Sequence, residues 1–271
     1  MTLLEVLKRA TGYLETHGSD SPRLDAEVLL AHVLGIRRLD LYLQFDRTLD
    51  EAQLAPYREL TGHRGRGEPV AYLTGHKEFM ALDFTVTPDV LVPNPDTEVL
   101  VQRAVEWGRL RGGGPLRFAD VGTGSGAIAI AVAHYLPEAT VDATDISEAA
   151  LKVAAGNAER LGVAERVRFL CGDLAEPLSG RYDALLANLP YLVERTVLPA
   201  EVTAQPGIAL FGGSVLVNRL LEAAPGLLAL GGIALLEVDP AITAELKIAG
   251  FSGSKLLKDL GGHDRVLEAW T

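Results

Sequence analysis

The chain has 271 residues, 48% of them hydrophobic and 23% charged, and a formal net charge of −11. That length gives one or two domains with room for a sizeable core, and the acidity argues against a protein whose main task is to coat nucleic acid, because neutralising phosphates takes clustered Lys and Arg. The single cysteine, Cys171, excludes a disulfide framework and a Cys-based zinc site, and the scattered histidines lack metal-ligand spacing, so no metal is expected.

The longest apolar runs fall short of the roughly 18 residues that a bilayer-spanning helix needs. The opening MTLLEVLKRA also lacks the basic start and continuous apolar block of a signal peptide, so the expected location is the cytoplasm.

In chain order, residues 1–75 read as helices. Leu3, Leu4, Leu7, Ala10 and Leu14 recur at helical spacing; Ser21-Pro22 is an N-cap followed by a first-turn proline, with Gly35 closing that helix. A third helix is expected from about 50 to 63, completing a small bundle. The basic stretch Arg58, His63, Arg64 and Arg66 reads as a solvated helix end and loop, with docking to a partner or to RNA as the alternative. Residues 78–92, EFMALDFTVTPDVLV, are rich in β-branched and aromatic residues and predict a short hairpin. Asn94-Pro95 then caps a helix over 96–110.

After RGGGP the pattern alternates between strand and helix. LRFADVG, TVDATD, RVRFL, YDALLAN and GIALLEV are the expected strands, and GAIAIAVAHYL, EAALKVAAGNAERLG, VNRLLEAAPGLL and AITAELKIAG the expected helices, with closing segments near SKLLKDL and RVLEAWT. This alternation predicts an α/β fold with a mainly parallel sheet covered on both faces. Cys171, ending RVRFL, is expected to be a small core residue.

Asp120-Val-Gly122-Thr-Gly124-Ser-Gly126 follows a strand and opens a helix. Gly122 and Gly124 let the backbone pass close to a ligand, and free N–H groups at the helix start suit a negatively charged group. The spacing is tighter than the dinucleotide fingerprint, which favours a more compact ligand. Asp145 ends the second strand, where a carboxylate can hold both hydroxyls of a ribose, and Gly172-Asp173 follows the third, where an Asp can accept from an adenine amino group. Together these features indicate a nucleoside cofactor with a small charged tail, and S-adenosylmethionine matches that description.

The strand YDALLA runs into Asn188-Leu189-Pro190-Tyr191. A planar amide or exocyclic amine nitrogen is a poor nucleophile until acceptors aimed at its N–H groups orient it. The Asn188 side-chain oxygen is one such acceptor. The Leu189 carbonyl is the second, because Pro190 holds the preceding residue extended and donates no competing N–H. On this reading the side chain at 189 matters less than its backbone, and Tyr191 offers a flat surface for the planar group.

With EPVAYLTG, FTVTPDVLVPNPDTE, DVGTGSGAIAIA, DIS, GDL, GRYDALLANLPYL and DLGGHDRVLEAW in place, the chain resembles the HemK/PrmC family, the peptide-chain release factor glutamine N5-methyltransferases, over nearly its whole length. The resemblance implies a helical substrate-recognition domain (1–75), a β-hairpin linker (76–94) and a seven-stranded Rossmann-like S-adenosylmethionine-dependent methyltransferase domain (95–271). It places Gly122, Thr123, Gly124, Ser125 and Gly126 around the methionine part of the cofactor, Asp145 at the ribose, Asp173 and Leu174 on the adenine side, and Asn188 to Tyr191 at the substrate amide, with Asn188 also beside the cofactor.

The implied acceptor is the Gln of a release-factor Gly-Gly-Gln motif, and the implied product is S-adenosylhomocysteine. A monomer without stable nucleic-acid or membrane binding is expected. The chain departs from the family's pattern at Asn94, Leu189, Gln205 and Ser214-Val215, all bearing on acceptor docking. Other open readings are glutamine methylation of a ribosomal protein, adenine N6 methylation of RNA or DNA, and a silent module that binds cofactor or release factor without turnover.

Overall fold

The computed structural model describes residues 1–112, 114–192, 198–259 and 261–271. They form two compact units, one of Met1–His76 with residues 198–204 and the other of residues 77–192 with 205–271.

The first unit is helical: α1 (Leu3–Thr16), α2 (Pro22–Leu34), α3 (Glu51–Gly65) and the short α4 (Val70–Thr74). Thr2 and Glu5 form a capping box at the start of α1, and Asp50 and Gln53 form another at α3, so the free N–H groups of both helices are answered locally. Pro22 does open α2 and left-handed Gly35 (φ 63°) closes it, but the Ser21 hydroxyl makes no capping bond. Leu3, Leu14, Leu29, Leu30 and Leu41 are wholly buried in the core, and the Tyr57 hydroxyl donates to the Ala26 carbonyl at 3.1 Å.

Three residues of the basic stretch, Arg58, His63 and Arg64, are paired with acids. Arg58 bonds Glu51, His63 lies 2.7 Å from Glu68, and Arg64, its side chain only 6% exposed, bonds Asp25 at 2.6 Å and Glu201 at 2.5 Å.

The second unit starts with the hairpin of β1 (His76–Phe79) and β2 (Leu82–Thr85), shorter than the sequence suggested. Its turn residues Met80 and Ala81 both have positive φ (51° and 55°), a conformation that Gly or Asn fills more readily. Two outside bonds hold it: Glu98 accepts from the Met80 N–H at 2.7 Å, and the Tyr135 hydroxyl donates to the Met80 carbonyl at 2.6 Å. Asn94 then caps the turn Pro95–Thr97, which leads into α5 (Glu98–Leu110).

The sheet contains β3 (Arg117–Val121), β4 (Thr140–Asp145), β5 (Val167–Cys171), β6 (Tyr182–Ala187), β7 (Leu228–Glu237), β8 (Gly253–Lys258) and β9 (Asp264–Trp270), in the spatial order β5-β4-β3-β6-β7-β9-β8. Pairing is parallel from β5 through β7, and only β9 runs against its neighbours. The connecting helices are α6 (Ala127–Tyr135), α7 (Glu148–Arg160) and α8 (Gly213–Leu227). Residues 127–133 of α6 are all buried, as a helix apolar on every side must be.

Two further expectations fail. AITAELKIAG forms only the single 3-10 turn Thr243–Glu245, because the Asn218 side chain takes its backbone groups: it donates to the Glu245 carbonyl at 3.0 Å and accepts from the Lys247 N–H at 2.8 Å. Cys171 is exposed rather than part of the core, since β5 is the edge of the sheet and its end has no strand beyond it. Among the described residues no helix is long and apolar enough to cross a membrane.

Candidate active site

The chain leaves β3 for β4 and β5 on one side and returns through β6 and β7 on the other. At such a reversal the loops after neighbouring strands part, and a crevice opens at the strands' carboxyl ends. A cavity of about 370 Å³ lies there, within the roughly 300–1,000 Å³ of small-molecule sites. Its walls include Gly122, Thr123, Gly124 and Ser125 after β3, Asp145 and Ile146 at the end of β4, Asp173 and Leu174 after β5, and Asn188, Leu189 and Pro190 after β6. Four consecutive strand ends therefore converge on one space.

The glycine turn needs its glycines. Gly122, Gly124 and Gly126 have φ of 75°, 55° and 83°, where an L side chain is strained. A Cβ on Gly126 would come within 2.7 Å of Ile130 and one on Gly122 within 3.0 Å of Leu189, whereas one on Gly124 would stand in open space. The turn is braced from within: the Gly122 and Thr123 amides donate to the Thr144 carbonyl at 2.9 Å, Gly126 donates to the Thr123 carbonyl at 2.9 Å, and Gly124 donates to the Asp145 carboxylate at 2.9 Å. These four N–H groups of the turn are thus spent inside the protein.

Asp145 also accepts from the Ser147 N–H at 2.9 Å, which fixes both carboxyl oxygens, while Ser147 itself caps α7. Asp173 is engaged as well, by Arg219 of α8 at 2.7 Å, and Arg219 lines the cavity. Leu174 takes a left-handed φ of 48°, and its carbonyl accepts from Thr144 at 2.8 Å. Ile146, more than half exposed beside Asp145, adds an apolar wall.

Asn188 lines the cavity with its amide nitrogen donating to the Thr97 hydroxyl at 3.0 Å. Among the described residues no group donates to the Leu189 carbonyl. The Leu189 side chain, expected to matter little, is 3% exposed and packs beneath Gly122. Tyr191 does not line the cavity. Its ring packs on the core and its hydroxyl donates to Glu237 at 3.4 Å.

Four residues that the sequence reading passed over matter here. Asn157, fully buried, accepts from the Thr85 N–H at 2.8 Å and donates to the carbonyls of Thr85 and Ser125 at 2.9 Å, tying the hairpin to the glycine turn. Asp120 is wholly buried, accepting from Thr123 at 2.6 Å and the Ala129 N–H at 3.1 Å; burial, with Asp145 nearby, pushes its pKa up to about 7. Glu237 ends β7 and is likewise pushed up to about 7 by burial. Thr97 was read only as helix start. The signal available for Glu237 was the one that found Asp145: an acid closing an apolar strand.

An open sheet of this order, with a tight glycine turn after its first parallel strand and an acid ending the next, defines an S-adenosylmethionine-dependent methyltransferase. Residues 5–75 match the PrmC N-terminal domain model and residues 100–205 the methyltransferase small domain model. The release factor glutamine methyltransferase of Moorella thermoacetica is 43% identical, with 100% of this chain and 99% of that protein covered; that of Rhodopirellula baltica is 40% identical over 98% and 95%. Among solved structures, the Thermus thermophilus 16S rRNA methyltransferase RsmC, in complex with AdoMet and guanosine, has a TM-score of 0.56 at 20% identity over 72% of this chain and 49% of its own. A Pyrococcus furiosus methyltransferase has 0.52 at 20% identity over 82% and 98%. Both share the fold. The chain belongs to the release factor glutamine methyltransferase family.

Proposed function

We infer that the protein transfers a methyl group from S-adenosylmethionine to the side-chain amide N5 of the Gln in the Gly-Gly-Gln motif of peptide-chain release factors. The observation that carries this reading is the Asn188 amide at the cavity wall, nitrogen held by Thr97, which leaves the oxygen as an acceptor.

The residues fit the cofactor. An Asp145 carboxylate stands at the cavity, the glycine turn admits close approach, Ile146 supplies an apolar face, and Asp173 with Leu174 stands at the next strand end. Gly122 to Gly126 would hold the methionine part, Asp145 the ribose and Asp173 the adenine side. When bound, S-adenosylmethionine supplies an electrophilic methyl on a positively charged sulfur and leaves as S-adenosylhomocysteine.

The protein's own contribution is orientation. Asn188 Oδ1 and the Leu189 carbonyl accept from the two N–H groups of the substrate amide and hold its nitrogen lone pair out of conjugation, toward the methyl. Pro190 adds no competing donor. As the nitrogen–carbon bond forms, the nitrogen loses one proton, which has by then become strongly acidic, so no side-chain base is required. Alignment of this kind is worth up to about 7–11 kcal/mol. Because Tyr191 faces Glu237, its role in this reading is to hold the turn rather than to stack on the substrate.

In the same reading residues 1–75 recognise the release factor, 76–94 link, and 95–271 carry the transfer. The protein acts as a cytoplasmic monomer without stable nucleic-acid binding, which the pairing of Arg58, His63 and Arg64 with acids supports. The test is mass spectrometry of a release factor, and of the same factor with Ala for the Gln of its Gly-Gly-Gln motif, after incubation with protein and S-adenosylmethionine. One added methyl on the first and none on the second is expected; methylation of both, or of neither, overturns the assignment.

A further inference from the structure

An amide side chain can present either its oxygen or its nitrogen to a substrate, and only the first serves an acceptor role. At Asn188 a relay of hydrogen bonds makes that choice. Thr97, 4% exposed, has one hydroxyl proton to give, and its oxygen already accepts from Asn188 Nδ2 at 3.0 Å. That proton must go elsewhere. The group that interacts with the Thr97 hydroxyl is the Glu237 carboxyl, which has no solvent exposure, accepts from the Tyr191 hydroxyl at 3.4 Å through Oε1, and leaves Oε2 without a partner among the described residues.

We propose that Thr97 and Glu237 are positioning residues that set which end of the Asn188 amide faces the cavity. With Glu237 ionised, the Thr97 proton turns toward it, the Thr97 lone pair faces Asn188, and the amide must offer nitrogen to Thr97 and oxygen to the substrate. A proton on Glu237 reverses the chain: Glu237 donates to Thr97, Thr97 donates to Asn188, and the amide shows the substrate a donor. The carboxyl's charge is thus read out as the polarity of a side chain two hydrogen bonds away.

The groups facing Glu237 bear on its ionisation. Burial favours the neutral form, and Asp96 on the turn before α5 acts in the same direction; Thr97, Arg265 on β9 and the Tyr191 hydroxyl favour the charged form. Arg265 is shared with Asp96 and Asp259, each at 3.2 Å, so its help is divided. The balance puts the titration at about 7.

The inference rests on Asn188 being the substrate's acceptor, and the test separates the two. In ¹⁵N-labelled protein the Asn188 side-chain resonances, assigned by their absence in Asn188→Ala, need no substrate. One proton should be downfield and protected in the wild type, lose both properties in Thr97→Val, keep them in Thr97→Ser, and titrate with pH in the wild type but not in Glu237→Gln. With a release factor as acceptor, Thr97→Val should lower kcat about 100-fold, the loss typical of a misplaced reacting group, and leave cofactor affinity unchanged; Thr97→Ser should restore most of it. Wild-type kcat at saturating cofactor should rise with pH along a limb that Glu237→Gln removes and Asp120→Asn keeps. Unchanged Asn188 resonances in Thr97→Val, or a limb that survives in Glu237→Gln, overturns the inference. Full turnover in Asn188→Ala instead overturns the acceptor role, whatever the resonances do.

Discussion

Asp120 keeps one carboxyl oxygen without a hydrogen bond where water does not reach. Burial favours its proton, so the folded protein binds that proton more tightly than the unfolded chain does. Stability from this group is therefore fully present below the unfolded value of about 4 and is lost as pH rises to about 7, by at most on the order of 4 kcal/mol. Asp120→Asn removes the loss: its stability relative to wild type should climb between pH 4 and 7 and level off above, as denaturant titrations at each pH would read. On the proposed function, two side chains at the cavity wall divide the labour. Asn188→Ala should reduce methyl transfer about 100-fold or more with cofactor affinity little altered. Asp145→Ala frees the Gly124 and Ser147 N–H groups and should weaken cofactor binding by about 10–100-fold, a loss that calorimetric titration separates from turnover.

The elements that carry the site are turns braced by packing, which decides how far the sequence could be read. The glycine turn, the Asp145 and Asp173 strand ends and the Asn188 corner were legible because each lies where a local pattern breaks, at the end of an apolar run. Thr97 meets Asn188 across 91 positions and Thr85 meets Asn157 across 72, and no local periodicity encodes such meetings. The Asn218 side chain that dissolves the helix expected at 241–250 works in the same non-local way. Leu189 was misjudged for a related reason: its backbone role is visible in the sequence, but its packing under Gly122 is not. Leu189→Ala should cost about 2–5 kcal/mol of stability in chemical denaturation, as for other buried leucines, and loosen the glycine turn along with the Asn188 corner.

At the scale of the whole molecule the two units hold separate cores, Leu3, Leu29 and Tyr57 in one and Phe84, Phe118 and Tyr182 in the other. Ligand binding stabilises what it touches, by about 2.7 kcal/mol at a hundred times Kd, or some 5–10 °C for a unit of this size. Scanning calorimetry with S-adenosylmethionine should move the transition of the second unit by that amount and leave the first in place. A uniform shift of the whole profile would mean that the units melt as one.

Among the described residues, every one that lines the cavity belongs to the second unit. A reaction chamber walled by a single body inherits its chemistry as a block, so a substitution in the other body leaves every wall of the chamber as it was.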